Sequence, residues 1–82
     1  MNVEFGKQNI LSSRFGCWIG FTPNKFTQPP VVICQLVRSS PNVWNDRPLN
    51  IYPDNITTSG FQFNVRGDYK PGDQCHWISI GN

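Results

Sequence analysis

The sequence predicts an all-β fold, a small six-stranded antiparallel β-sandwich, and three observations carry that prediction. Apolar and polar residues alternate in short runs, the two-residue period of a strand with one buried face. Clusters of Pro, Gly, Asn, Asp and Ser separate the runs, and none keeps the recurrence of an amphipathic helix. Pro29-Pro30 stands directly before Val31-Val32-Ile33. Proline does not donate to a sheet ladder and disfavours the α region for the residue before it, so the pair marks where a strand starts.

In chain order, Asn2 to Lys7 alternates Val3 and Phe5 against Asn2 and Glu4, predicting a first strand with Val3 and Phe5 inward and Gly6 at its end. Gln8 to Arg14 has no period and reads as a loop. From Phe15 to Phe21, the residues Phe15, Cys17, Ile19 and Phe21 share the inner parity, and Trp18 stands on the outer one. Thr22 to Gln28 is turn chemistry around Pro23-Asn24, with Phe26 as its anchor. Val31 to about Arg38 is nearly continuously apolar, the mark of a strand covered on one side by a second sheet and on the other by another subunit. Ser39 to Pro48 is the longest polar loop and carries Trp44, Asp46 and Arg47.

Leu49 to Ile56 is a strand interrupted by Pro53, hence bulged or at an edge. Thr57 to Gly60 is a turn whose glycine allows a positive φ. Phe61 to Arg66 returns as the second arm of a hairpin, with Phe61, Phe63 and Val65 inward. Gly67 to Gln74 is a second turn-rich loop, carrying Asp68, Tyr69, Lys70 and Asp73. In the last strand, Cys75 to Ile80, the residues His76, Ile78 and Ile80 alternate with Cys75, Trp77 and Ser79. The spacing of the runs suggests a meander.

Composition limits size and partners. A chain of 82 residues forms one domain, and one this small buries only about 60% of its unfolded surface, so help from an oligomer or a larger parent chain is expected. Charged residues make up 15% of the chain, against about 25% in ordinary soluble domains, which is the composition subunit contacts leave. The seven basic and five acidic residues are scattered singly, which argues against nucleic acid as a partner. No run reaches the ~18 apolar residues of a membrane span, so no membrane insertion is expected. Met1 to Leu11 lacks the apolar core of a secretory signal. The expectation is a single domain over residues 1–82, suited to the tip of a longer fibre or adhesin.

Cys17, Cys34 and Cys75 cannot all pair within one chain, and one bridge with a spare thiol, an intermolecular bridge, or three reduced thiols all fit. Their spacing, with the single His76, forms no metal-ligand motif, and no cofactor is implied. One histidine without a neighbouring nucleophile or paired carboxylates makes no catalytic arrangement, so the chain is read as a non-enzyme.

Several motifs, in order, resemble the H-type lectin domain of snail agglutinins and of the discoidin C-terminus. They are Pro29-Pro30-Val31-Val32, a polar loop ending in Arg47, the step Asn55 to Phe61 (NITTSGF), and Trp77 to Gly81 (WISIG). The match runs from about Phe21 to Gly81, and Val3 to Lys7 looks like the family's first strand. The resemblance implies a β-sandwich assembled as a parallel homotrimer that binds carbohydrate, usually galactose or N-acetylgalactosamine, in shallow clefts between protomers. The family holds its sugar with an Asp from the first long loop, an Arg, and a Trp-His pair before the last strand. Arg47 corresponds to that Arg. The first loop here contains no Asp, and Asp68-Tyr69 stands where the family has Trp-His.

A site of the same placement is therefore expected from Arg47, Asp68 and Tyr69, flanked by Trp44 and Asp46. Arg and Asp share hydroxyl hydrogen bonds with fixed geometry, and an aromatic ring offers an apolar face to a sugar. Secretion or a virion fibre tip would suit such a module. The other reading is a structural trimerisation or capping domain of a fibre, a phage tail fibre or an adhesin, that has lost sugar binding. The sequon Asn55-Ile56-Thr57 is explained by turn geometry without a glycan.

Overall fold

The computed structural model describes residues 1–11, 17–39 and 49–82. They form six strands: β1 (Asn2–Asn9), β2 (Trp18–Gly20), β3 (Val31–Val37), β4 (Leu49–Asp54), β5 (Gly60–Gly67) and β6 (Gln74–Gly81). The strands make two three-stranded antiparallel sheets, ordered β1-β6-β3 and β2-β5-β4. The fold is thus all-β and two-layered, but it is not a meander: only the β4–β5 hairpin joins sequence neighbours within a sheet. The two longest inward patterns, on β5 and β6, become the central strands, where both edges are paired and burial is deepest. Among the described residues no helix is long and apolar enough to cross a membrane.

The core lies between the sheets. Phe61, Phe63 and Val65 of β5 face Cys75 and Trp77 of β6, with Ile19, Phe21, Phe26 and Val32 around them. Phe21 is its aromatic hinge, with ring centroids 4.9 Å from Phe26, 5.7 Å from Phe61 and 6.0 Å from Trp77. Edge-to-face and tilted pairs of this kind add about 0.5–1.5 kcal/mol each beyond the area they bury. Pro53 sits in edge strand β4, where a missing N–H leaves no ladder position empty in the interior of a sheet.

Three expectations are corrected. Val3 and Phe5 point outward, and the inner face of β1 carries Glu4, Gly6 and Gln8 instead. The cause lies at Gly6, which continues the strand rather than ending it: a Cβ there would stand 2.9 Å from Cζ2 of Trp77, so only a glycine lets that indole fill the interior. The second concerns Gly60, which does not take the positive φ open to it; the left-handed non-glycine of the β4–β5 connection is Asn55, before the turn, at φ 49°. A Cβ on Gly60 would collide with the Ile19 carbonyl oxygen and with the ring of Trp18. The turn itself is held by Thr57, whose N–H donates to the Gly60 carbonyl at 2.8 Å and whose Oγ1 accepts from the Ser59 and Gly60 amides. The third correction concerns β2: of the predicted strand from Phe15 to Phe21, Cys17 and Phe21 fall outside the strand, while Phe15 and Gly16 lie outside the described residues.

Outside the core, the two sheets present unlike faces. On the first sheet the outward rows are Val3–Ile80–Val31, Phe5–Ile78–Ile33 and Lys7–His76–Gln35. Four of these apolar side chains are well exposed, Phe5 at 76%, Val31 at 66%, Ile33 at 56% and Val3 at 42%. Among the described residues, β3 is therefore covered by the second sheet on one side only.

Candidate functional site

The loops that the sequence singles out leave the sandwich from one pole. β1 and β3 end, and β6 begins, at a single row, Asn9–Gln74–Val37. β5 ends and β4 begins at the pair Leu49–Gly67, and the loop 68–73 joins this edge to the first. Three loops thus start or finish within one or two residues of each other in the sheet registers.

Asp73 ties them together. Its side chain is 1% exposed, and its Oδ2 accepts from the Lys70 amide at 2.9 Å and from Arg38 Nη1 at 3.1 Å, while Oδ1 accepts from the Ser39 amide at 2.8 Å. Its backbone joins too: the Ile10 amide donates to the Asp73 carbonyl at 2.9 Å, and the Asp73 amide to the Lys70 carbonyl at 3.0 Å. One carboxylate therefore fixes the start of the loop after β3, the loop before β6 and, through the backbone, the chain leaving β1. Burial acts to raise the pKa of this carboxyl, but the donors from Lys70, Ser39 and Arg38 outweigh it and hold the group below the usual carboxylate range. In the sequence Asp73 stands out only as a loop residue. The signal was the run Lys70-Pro71-Gly72-Asp73, a turn whose fourth residue can accept the first residue's amide.

The sequence-named residues fall as follows. Trp44, Asp46 and Arg47 lie outside the described residues. Asp68 is exposed on the pole, and its carbonyl accepts from Arg38 Nη1 at 3.3 Å. Tyr69 is half-buried against the core, and its hydroxyl donates to the Leu11 carbonyl at 3.0 Å. Tyr69 thus links the loop before β6 to the chain after β1, and its hydroxyl proton is committed to Leu11. The pole can therefore present Asp68 on a loop held at both ends, a rigid base for hydrogen bonding to a polar ligand. Among the described residues no three His, Cys, Asp or Glu side chains are grouped so as to hold a metal ion.

The cysteines are all unbridged: Cys75 is buried on the inner face of β6, and Cys17 and Cys34 are half-buried against the core. Cys34 and Cys75 lie diagonally on neighbouring strands, since Cys34 pairs with Trp77 and Cys75 with Leu36. A hydrogen bond between the two thiols raises the pKa of Cys75 well above the ordinary thiol value, burial adds to this, and the same bond lowers that of Cys34. Burial raises Cys17. Because the thiolate is the nucleophile, maleimide labelling of the native protein followed by mass spectrometry is expected to modify Cys34 first and Cys75 only after unfolding. Labelling of native Cys75 at the rate of Cys34 would contradict this arrangement.

Comparison of the chain with protein-family models, curated proteins and solved structures gives no match.

Proposed function

We propose that this domain is a carbohydrate-binding module that works as a parallel trimer, with its sugar sites at the loop pole between neighbouring protomers. The observation that supports it most is the bare apolar face of the β1-β6-β3 sheet, which runs directly to that pole. The face is graded: its Val3–Ile80–Val31 and Phe5–Ile78–Ile33 rows are apolar, and the Lys7–His76–Gln35 row nearer the pole is polar. Copies arranged in parallel about an axis along the strands set apolar rows on apolar rows and polar on polar, whereas antiparallel copies would bury Lys7 and His76 against isoleucine and valine. Covering the four exposed side chains returns about 1 kcal/mol each, roughly 4 kcal/mol per protomer before the cost of association. The same packing carries the poles of neighbouring protomers side by side, where Asp68 of one and Arg47 of the next would share a cleft.

Each site is shallow and its affinity modest, and three engaged together bind a multivalent surface far more strongly than one. The test joins light scattering to a glycan array on wild type and Arg47→Ala. A trimer whose glycan signal falls at least tenfold on loss of the arginine is the expected outcome, in line with a hydrogen bond to a charged group. An array signal that is absent, or that survives the substitution, removes the pole site. The reading as a structural trimerisation or capping domain is favoured by one observation, the commitment of the Tyr69 hydroxyl to Leu11. It expects a stable trimer with no saccharide affinity.

A further inference from the structure

The geometry points to a second saccharide-binding site, on the outward face of the β2-β5-β4 sheet, built from Trp18, Tyr52, Asp54, Asn55, Gln62 and Asn64. This face lies on the opposite side of the sandwich from the apolar one, and its two rows, at Gln62 and Asn64, lie five and three residues along β5 from the Leu49–Gly67 pair at the pole, so it is distinct from the proposed pole site. Trp18, Gln62 and Asp54 form one row across the sheet, and Asn64 and Tyr52 form the next.

Trp18 lies flat. A Cβ on Gly60 would stand 2.7 Å from its Cζ2 and 2.9 Å from its Cε2, and one on Gly20 4.0 Å from its Nε1, so the indole rests on the two glycines of the adjoining row. Yet the residue remains 53% exposed, which leaves the ring's other face to solvent. An ordinary side chain at position 60 would stand the indole up or push it aside. Glycine there makes a recess that turns a large aromatic into a platform level with the sheet.

Beside the platform, four polar side chains close a ring of hydrogen bonds. Asn55 Nδ2 donates to Gln62 Oε1 at 3.2 Å, Gln62 Nε2 to Asn64 Oδ1 at 3.0 Å, and Asn64 Nδ2 to Asp54 Oδ2 at 3.0 Å, while Asp54 Oδ1 accepts from the Asn55 amide at 2.9 Å. The circuit holds these side chains in fixed rotamers at the surface, and each amide still has a second N–H and a second lone pair to offer. Little side-chain entropy remains to be lost on binding. Tyr52, 40% exposed, borders the array on β4.

These features select a sugar. A pyranose has an apolar C–H face that stacks on an indole, and hydroxyls that both donate and accept, as side-chain amides do. The array has one carboxylate and no cation among its six residues, Arg66 standing one row beyond Asn64 on the same face, which disfavours phosphate on the array itself. Trp18 and Asp54 are separated by two strand spacings, about 10 Å, so one ring can rest on the indole while its neighbour meets the amides.

The test is a titration of 15N-labelled protein with methyl β-galactoside, N-acetylgalactosamine, cellotetraose and chitotetraose at millimolar concentration. The indole N–H of Trp18 and the side-chain amides of Gln62 and Asn64 are followed. At least one saccharide is expected to move these signals saturably. Trp18→Ala should abolish the shifts, and Asn64→Ala, which keeps the platform and lies at the surface, should weaken binding about tenfold. Arg47→Ala should leave them unchanged, which separates this site from the pole. Signals unmoved by all four saccharides overturn the inference, as do shifts confined to the pole loops or shifts that survive Asn64→Ala undiminished.

Discussion

Asp73→Ala is expected to destabilise the domain by about 3 kcal/mol and to lower its Tm by more than about 10 °C. The carboxylate is buried and accepts from two backbone amides and from Arg38. Its loss leaves both amides without that acceptor and removes one charged partner of Arg38, whose side chain is only 21% exposed. The effect carries a pH signature. The folded carboxyl titrates below its unfolded value, so its contribution is complete above the ordinary carboxylate pKa of about 4 and is lost as pH falls through the depressed folded value. Urea melts at neutral pH and in acid should therefore show the gap between wild type and Asp73→Ala narrowing in acid. A gap that stays constant, or a neutral-pH difference under about 0.5 kcal/mol, would rule out the clamp.

Ile33→Glu is expected to convert the proposed trimer into folded monomers. Ile33 sits on edge strand β3, 56% exposed in the single chain, at the end of the outward apolar row Phe5–Ile78–Ile33. A glutamate is tolerated there in a monomer, because water still reaches the position. In a parallel assembly three such charges would be buried near one axis without partners, at several kcal/mol each. Sedimentation velocity should show the mass falling to about a third with an unchanged far-UV spectrum, while Asn50→Glu, on the opposite sheet, leaves the assembly intact. Wild type sedimenting as a monomer would refute the assembly itself, and an Ile33→Glu trimer would move the interface elsewhere.

Much of the fold can be read from residue order. The parity of β5 and β6, the hairpin turning at Thr57 to Gly60, the edge placement of Pro53 and the start of β3 at Val31 all follow from local chemistry: side chains alternate at a period of two, and proline cannot serve an interior ladder. Trp18 was legible as an outward aromatic for the same reason. The site was less legible. Asp73 draws on donors 3, 34 and 35 residues away in sequence, and of these only the nearest leaves a local trace, the Pro-Gly turn before it. The hydrogen-bonded circuit beside Trp18 needs β4 and β5 in register before its members can meet.

Residue order alone specifies a chain of short strands, where most of them begin and end, and which residues of each share a face. The tertiary structure decided which of the two faces turns inward and which strands become neighbours. Alternation states only that Val3 and Phe5 oppose Glu4 and Gly6. It took the ring of Trp77, which comes from the far end of the chain and claims the space above Gly6, to put the glycine inside and leave the valine and phenylalanine outside.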